Sequence, residues 1–297
     1  MASFLADDFD PAVIGDDSKL PADALGALRE LAWRQAQADP IWFMEKFWWC
    51  MNPFTFKWEQ FKPREYQRSD LEAMVEATKV ERDRKVILKA RQIGWTTEAS
   101  AFAFHNAFFV ANHPWIISSQ GEDEAKATLS TKIKQPYARL PLWLRNYPQA
   151  PKPTDDNAET FSFDNGSSIM SVPATSSAGR SKAVYGALVD EYAYVGDASG
   201  LLTALDPLCY GPMFVFSTAD GMGNPFHNLW LESQTDDAEW EGRFHPWHVV
   251  PERGPFTKDA DGNITSKWYQ REKRKYRGRE HEFYQENPAS PEEAGFS

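Results

Sequence analysis

The sequence predicts an α/β fold with a largely parallel central sheet flanked by helices, and three observations carry that expectation. Short apolar runs at 86–88, 115–119, 187–190 and 213–217 are separated by longer stretches, several of them of helical pattern, as parallel strands joined by crossovers are. The first run passes through a Gly turn, Gly94, directly into a helix rich in Ala and Phe. The third ends in two adjacent carboxylates, Asp190 and Glu191.

Taken in order, residues 1–20 carry Asp, Pro and Gly without periodicity and predict a flexible acidic N-terminus. Residues 21–58 predict a helical, aromatic-rich extension: Leu25, Leu28, Leu31 and Ala32 recur at helical spacing, the pattern runs to Met51, and a Trp/Phe-rich stretch from Ile41 to Trp49 follows Pro40. Such a stripe reads as packing over the core or as a lid. The main domain then covers 59–297. Within it, Leu71 to Arg82 predicts the helix before the first strand. Thr96 to Val110, apolar all round, predicts a helix buried between sheet and neighbours. Glu122 to Leu140 predicts one long amphipathic helix, and Pro148 to Asp156 a connection. Phe161 to Met170 reads as a hairpin turned by Asn165-Gly166, and His245 to Val250 as a late strand.

Composition bounds the chemistry. A net charge of −11 argues against a protein that coats nucleic acid by phosphate neutralisation alone, although Lys267 to Arg279 is a strongly basic run with interleaved aromatics. That run suits a solvated helix face as well as a contact with DNA or a partner. The two cysteines, Cys50 and Cys209, supply neither a zinc site nor a disulfide framework. His245 and His248 lack further ligands at suitable spacing, and Asp155, Asp156, Asp259 and Asp261 lie in turn-like contexts. The N-terminus lacks the character of a signal peptide and no apolar run is long enough to span a bilayer, so a soluble protein is expected.

The reactive residues gather at strand ends. Val86 to Thr97 has the layout of a phosphate-binding loop, with the backbone N–H groups of Gln92, Ile93, Gly94, Trp95, Thr96 and Thr97 opening a helix toward an anion and the Thr96 hydroxyl available to Mg²⁺. The usual spelling is broken twice: Lys89 stands where the first Gly belongs, and Trp95 where the Lys belongs. Asp190 and Glu191 suit a pair in which one acid serves Mg²⁺ and the next an attacking water. Ser217, Thr218 and Ala219 close a third strand. Together these elements predict nucleotide hydrolysis by a P-loop NTPase.

In combination, Pro63-Arg-Glu-Tyr-Gln67, Lys89 to Thr97, Leu188-Val-Asp-Glu191, Ser217-Thr-Ala219 and the closing Asn287 to Phe296 resemble the ATPase domain of the terminase large subunit, the DNA-packaging motor of tailed bacteriophages. The resemblance covers roughly residues 60–297 and implies a RecA-like P-loop ATPase using ATP and Mg²⁺. It implies Thr96 and Asp190 on Mg²⁺, Glu191 as base, Tyr66 and Gln67 at the adenine, and Ser217, Thr218 and Ala219 as a coupling motif. It gives the missing loop cation to Lys89 or Arg91, and it gives Arg180 a role on a neighbouring subunit's ATP. Implied partners are double-stranded DNA, the portal protein of the procapsid, the small terminase subunit and further copies of the chain in a ring, all in the host cytoplasm. The nuclease domain that relatives carry is not expected here. A nucleotide-binding docking module with little turnover and a helicase-like ATPase are the alternatives.

Overall fold

The computed structural model describes residue 5, residues 8–175 and residues 183–296. A 3-10 turn, Pro11–Ile14, stands inside the stretch expected to lack structure. Asp10 caps it, Ile14 is fully buried, and Arg29 donates to the carbonyls of Ile14 and Gly15 at 3.0 and 2.8 Å. Two helices follow, α1 (Ala22–Ala38) and α2 (Pro40–Phe47). Asp39 separates them: it ends α1, and its carboxylate accepts from Trp42 N at 3.0 Å, while Pro40 fills the first helical position, where no N–H is needed. The helical pattern read as far as Met51 stops short of it, because Trp49–Asn52 (β1) pairs antiparallel with Lys57–Gln60 (β2).

The next helix, α3 (Glu65–Ala77), begins and ends earlier than its apolar periodicity predicts. Gln67 Oε1 accepts from Arg64 N at 3.1 Å in a capping box, which starts the helix ahead of Leu71. Then come β3 (Arg84–Lys89), α4 (Trp95–Phe109), β4 (Trp115–Ser119) and α5 (Glu122–Thr128). The single long helix expected here is interrupted: a π-helical turn, Leu129–Lys134, joins α5 to α6 (Gln135–Arg139), and α7 (Leu142–Arg145) follows. An antiparallel edge is formed by β5 (Pro153–Asp156), β6 (Thr160–Phe163) and β7 (Ser168–Pro173). The Asn165-Gly166 hairpin is present, with Gly166 at φ 82°. Asp155 and Asp156 lie in the edge strand β5 and not in a turn, whereas Asp259 holds a turn through Asp261 N and Asn263 N at 3.0 and 2.9 Å.

The second half contributes β8 (Gly186–Asp190), α8 (Ala198–Leu205), β9 (Met213–Ser217), α9 (Pro225–Glu232) and β10 (Glu241–His245). The strand expected over His245 to Val250 is displaced: Pro246, with no N–H to give, follows β10, and Trp247–Val249 is a 3-10 turn. A two-residue hairpin pair, β11 (Thr257–Lys258) and β12 (Ile264–Thr265), leads to α10 (Lys267–Lys275) and α11 (Glu280–Glu286). The basic run is therefore α10 and its exit. Part of its charge is met locally, by Glu272 with Arg271 and Lys275 and by Glu282 with Arg279.

The described residues form an eight-stranded sheet in the order β10-β3-β9-β8-β4-β7-β6-β5. It is parallel from β10 to β7 and antiparallel at the β6 and β5 edge. The C-terminal ends of β3, β9 and β8 consequently open on one edge, where ligands of such sheets bind. All residues of β3 are buried. On one face α4 packs under the aromatic extension: Phe43 and Trp48 lie against Phe104, and Trp33 against Phe108 and Phe109. No described helix is long and apolar enough to cross a membrane.

His105 lies within this aromatic seam, its Nε2 2.7 Å from the Ala36 carbonyl, and burial lowers its pKa to about 4. The folded state therefore takes up the proton later than the unfolded chain as pH falls. Stability from the neutral imidazole is fully present above about pH 6.5 and is lost down to about pH 4, by roughly 3 kcal/mol in all. Denaturant unfolding across that window should show the loss, and His105→Gln should flatten it.

Candidate active site

Strand β3 hands the chain to α4 through a turn that only particular backbones can make. Gln92 adopts φ 55° and Gly94 φ 98°. A side chain at Gly94 would be strained at that angle whatever the space around it. Arg64 and Tyr66 brace the turn from outside, Arg64 Nη1 donating to the Ile93 carbonyl at 3.3 Å and the Tyr66 hydroxyl donating to the same oxygen. Ile93 is buried, while Gln92 is exposed at the rim.

Trp95, standing where a loop lysine would stand, faces the other way. It is 2% exposed, donates through Nε1 to Asp70 Oδ2 at 2.9 Å, and packs on Phe216 with ring centroids 4.3 Å apart. Asp70 also holds Arg243 Nη1 at 3.2 Å and lies 2.7 Å from His245 Nε2. Position 95 is thus a core position in this protein. Restoring the customary residue with Trp95→Lys should destabilise the fold by at least about 3 kcal/mol in urea unfolding, through lost packing and a buried unpaired charge, and should not raise turnover.

Thr96 and Asp190 meet across the sheet edge: Thr96 Oγ1 donates to Asp190 Oδ2 at 3.0 Å. Burial pushes the Asp190 carboxyl up to about 6, against the pull of the Lys89 charge. Its second oxygen, Oδ1, is buried without a hydrogen-bond partner. A hydroxyl oxygen beside a buried, incompletely satisfied carboxylate is the all-oxygen donor set that Mg²⁺ takes, with water and phosphate completing the octahedron. These two residues therefore fit the ion. Among the described residues no cluster of three or more His, Cys, Asp or Glu offers another site.

Glu191 follows immediately, at φ 50°. That left-handed backbone turns its side chain back over the strand ends, a local strain of the kind concentrated at functional sites. Three groups hold the carboxylate. Lys89 Nζ pairs with Oε1 at 3.0 Å, Ser217 Oγ donates to Oε2 at 3.2 Å, and Thr218 N donates to Oε2 at 3.4 Å. Ser217 Oγ in turn accepts from Ala193 N at 3.2 Å. The Tyr194 hydroxyl lies 3.1 Å from Thr218 Oγ1 and donates to the Ala219 carbonyl at 3.1 Å. The three small residues closing β9 are thereby in direct contact with Glu191 and the turn after it.

Of the two candidate cations, Lys89 is 4% exposed and lies inside the carboxylate cluster. Arg91 stays on the surface. Its guanidinium pairs with Glu286 Oε2 at 3.2 Å, its N–H donates to the Glu286 carbonyl at 2.8 Å, and its own carbonyl accepts from Arg253 Nη2 at 2.5 Å. Tyr66 is turned onto the loop carbonyl and supports the loop directly, while Gln67 is buried in the capping box and holds Arg64, which itself donates to the loop. Arg180 lies outside the described residues.

Sequence reasoning missed several groups. Lys132, from the π-helical turn, donates to Thr97 Oγ1 at 3.0 Å. Glu286 reaches the rim from α11, and burial raises its carboxyl pKa. Glu98 is fully buried beneath the loop, and burial pushes its carboxyl well above the usual range; the Gln67 amide approaches it without closing a well-formed hydrogen bond. Only Glu286 left a signal, lying one residue before the recognisable ending Asn287 to Phe296.

A loop at the end of one strand, a carboxylate pair at the end of another, and a third strand between them make this an α/β P-loop NTPase fold. No protein-family profile and no curated protein sequence matches the chain. Solved structures do match it. The large terminase ATPase domain of Thermus phage P74-26 superposes with a TM-score of 0.55 at 17% identity, over 77% of this chain and 94% of that domain. The large terminase of bacteriophage HK97 gives a TM-score of 0.60 at 15% identity, over 84% of this chain and 53% of that one. This chain thus spans about half the length of the HK97 protein. The fold is that of phage large-terminase ATPase domains.

Proposed function

We propose that this chain is the ATP-hydrolysing motor domain of a tailed-phage DNA-packaging terminase. One observation carries the reading: Thr96 paired with Asp190, and Lys89 paired with Glu191, converge at the open edge of three parallel strands. The fold shared with large-terminase ATPase domains supports the packaging role over that of a helicase-like ATPase.

In this reading ATP lies along the loop from Gln92 to Thr97, its phosphates facing the first turn of α4. Thr96 and Asp190 would hold Mg²⁺, which would supply positive charge to the phosphates. Glu191 orients a water in line with the bond to be broken and accepts its proton. The water oxygen bonds to the γ-phosphorus as the bond to the β-phosphate oxygen breaks, and ADP leaves with that electron pair. Lys89, displaced from Glu191 toward the phosphates, neutralises the charge on the transferring group. Ser217 and Thr218 pass the resulting change at Glu191 into β9 and the turn beyond it. Double-stranded DNA, a portal, the small terminase subunit and ring neighbours are the partners this function needs, with Arg180 offered in trans.

A docking module that binds nucleotide with little turnover is the second reading, favoured by the burial of Trp95 where a loop cation would rise. Magnesium-dependent phosphate release, measured over rising protein concentration with and without double-stranded DNA, separates the two. Turnover that rises more than proportionally with concentration and responds to DNA length supports the motor. Bound ATP with no release under any of these conditions supports the docking module.

A further inference from the structure

Lys132 belongs to none of the motifs that define the site, yet its ammonium is held against them. It rises from the π-helical turn Leu129–Lys134, whose buried Leu129 and Ile133 anchor the turn on the core. A π-turn carries an extra residue per helical turn, re-aims the side chains around it, and is found frequently at functional sites. Here the half-buried Lys132 reaches Thr97 Oγ1 at 3.0 Å, in the first turn of α4. An ammonium has three donors. Among the described residues no carboxylate lies within ion-pair distance of this one, and Cys50 and, more weakly, Asp190 act on it only across space. A half-buried cation with one neutral hydroxyl for company is poorly compensated, and an anion would complete it.

The loop itself supplies no cation at position 95. Trp95 is committed to the core, and Lys89 is paired with Glu191. We propose that Lys132 is a phosphate-binding residue of the nucleotide site, delivering from the π-turn, beside Thr97, part of the positive charge that position 95 does not supply. The proposal rests on the reading of the site as one for MgATP. It makes the turn between α5 and α6 part of the site, and gives the phosphates one lysine from β3 and a second from the helix after β4.

Calorimetric titration of the parent chain, Lys132→Met and Lys132→Arg with MgADP, MgATP and adenosine tests it. Lys132→Met should weaken MgADP and MgATP binding about ten- to a hundredfold, the span of one charge-assisted hydrogen bond, and leave adenosine unchanged. Lys132→Arg should recover most of the loss. Undiminished MgADP binding by folded Lys132→Met overturns the proposal. So does an equal loss for adenosine and MgADP, which would make Lys132 a structural tether of α4. A parent chain that binds no nucleotide overturns the MgATP reading itself, a result distinct from the first two. Should Lys132→Met fail to fold, Lys132→Gln keeps a donor to Thr97, drops the charge and is read in the same way.

Discussion

Glu191→Gln should lower the rate of ATP hydrolysis by about a hundred- to ten-thousandfold while leaving ATP bound, the loss expected when a general base is removed from a site otherwise intact. The substitution is nearly isosteric. The amide can still accept from Ser217 Oγ and Thr218 N, which now meet the carboxylate at 3.2 and 3.4 Å, so the strained backbone at φ 50° keeps its support. What disappears is a proton acceptor at the open edge of the sheet. Loss of the negative charge also frees Lys89 from its 3.0 Å pair, so nucleotide affinity should hold or improve. Single-turnover phosphate release beside equilibrium ATP binding reads both quantities. Turnover within about a factor of ten of the parent would move the base elsewhere. Loss of binding together with turnover would make Glu191 structural.

Under the proposed function, the same cluster is the route by which hydrolysis would be transmitted. Glu191 shares Oε2 between the hydroxyl of Ser217, the last residue of β9, and the backbone N–H of Thr218 just beyond it, and Ser217 is itself held by Ala193 N in the turn after Glu191. Any reorientation of Glu191 toward a γ-phosphate must break or re-aim those bonds. A signal can leave the site through β9 without a large movement of the sheet, because the contacts are direct and the strand is fully buried.

Much of this architecture was legible in the sequence because the determinants are local. Buried parallel strands appear as short apolar runs, and strand ends in such folds carry the chemistry, so Thr96, Asp190, Glu191 and Ser217 could be named before their contacts were seen. The Asn165-Gly166 turn is equally local. Misreadings occurred where a single capping or breaking residue outweighed periodicity: Asp39 and the β1–β2 hairpin in the N-terminal layer, Gln67 at the start of α3, and Pro246 after β10. The different settings of Lys89 and Arg91 were invisible, because Arg91 is paired with Glu286, nearly two hundred residues further along the chain. So was Lys132, whose place at Thr97 follows from a π-turn that no spacing rule anticipates.

Lys89→Ala is expected to lower kcat/KM by about a hundred- to a thousandfold, and Arg91→Ala by less than about tenfold. The difference follows from where the two cations stand. Lys89 is buried beside two adjacent carboxylates, one of them an Asp190 already pushed up to about 6 by burial and held down in part by the Lys89 charge. Without Lys89, Asp190 and Glu191 face each other with no cation between them, so charge on the transferring phosphate loses its nearest compensation, while the uncompensated carboxylates attract Mg²⁺ more strongly and the variant should reach its lowered half-maximal rate at less Mg²⁺. Arg91 has 57% of its side chain exposed, and its ion pair with Glu286 is a rim contact of the kind that contributes little. Magnesium titrations of steady-state hydrolysis for both variants separate the roles. If Arg91→Ala proves the more damaging, the replacement cation is Arg91, Lys89 serves only as counter-ion to Glu191, and ATP must pull Arg91 away from Glu286 before hydrolysis, making α11 part of the catalytic cycle.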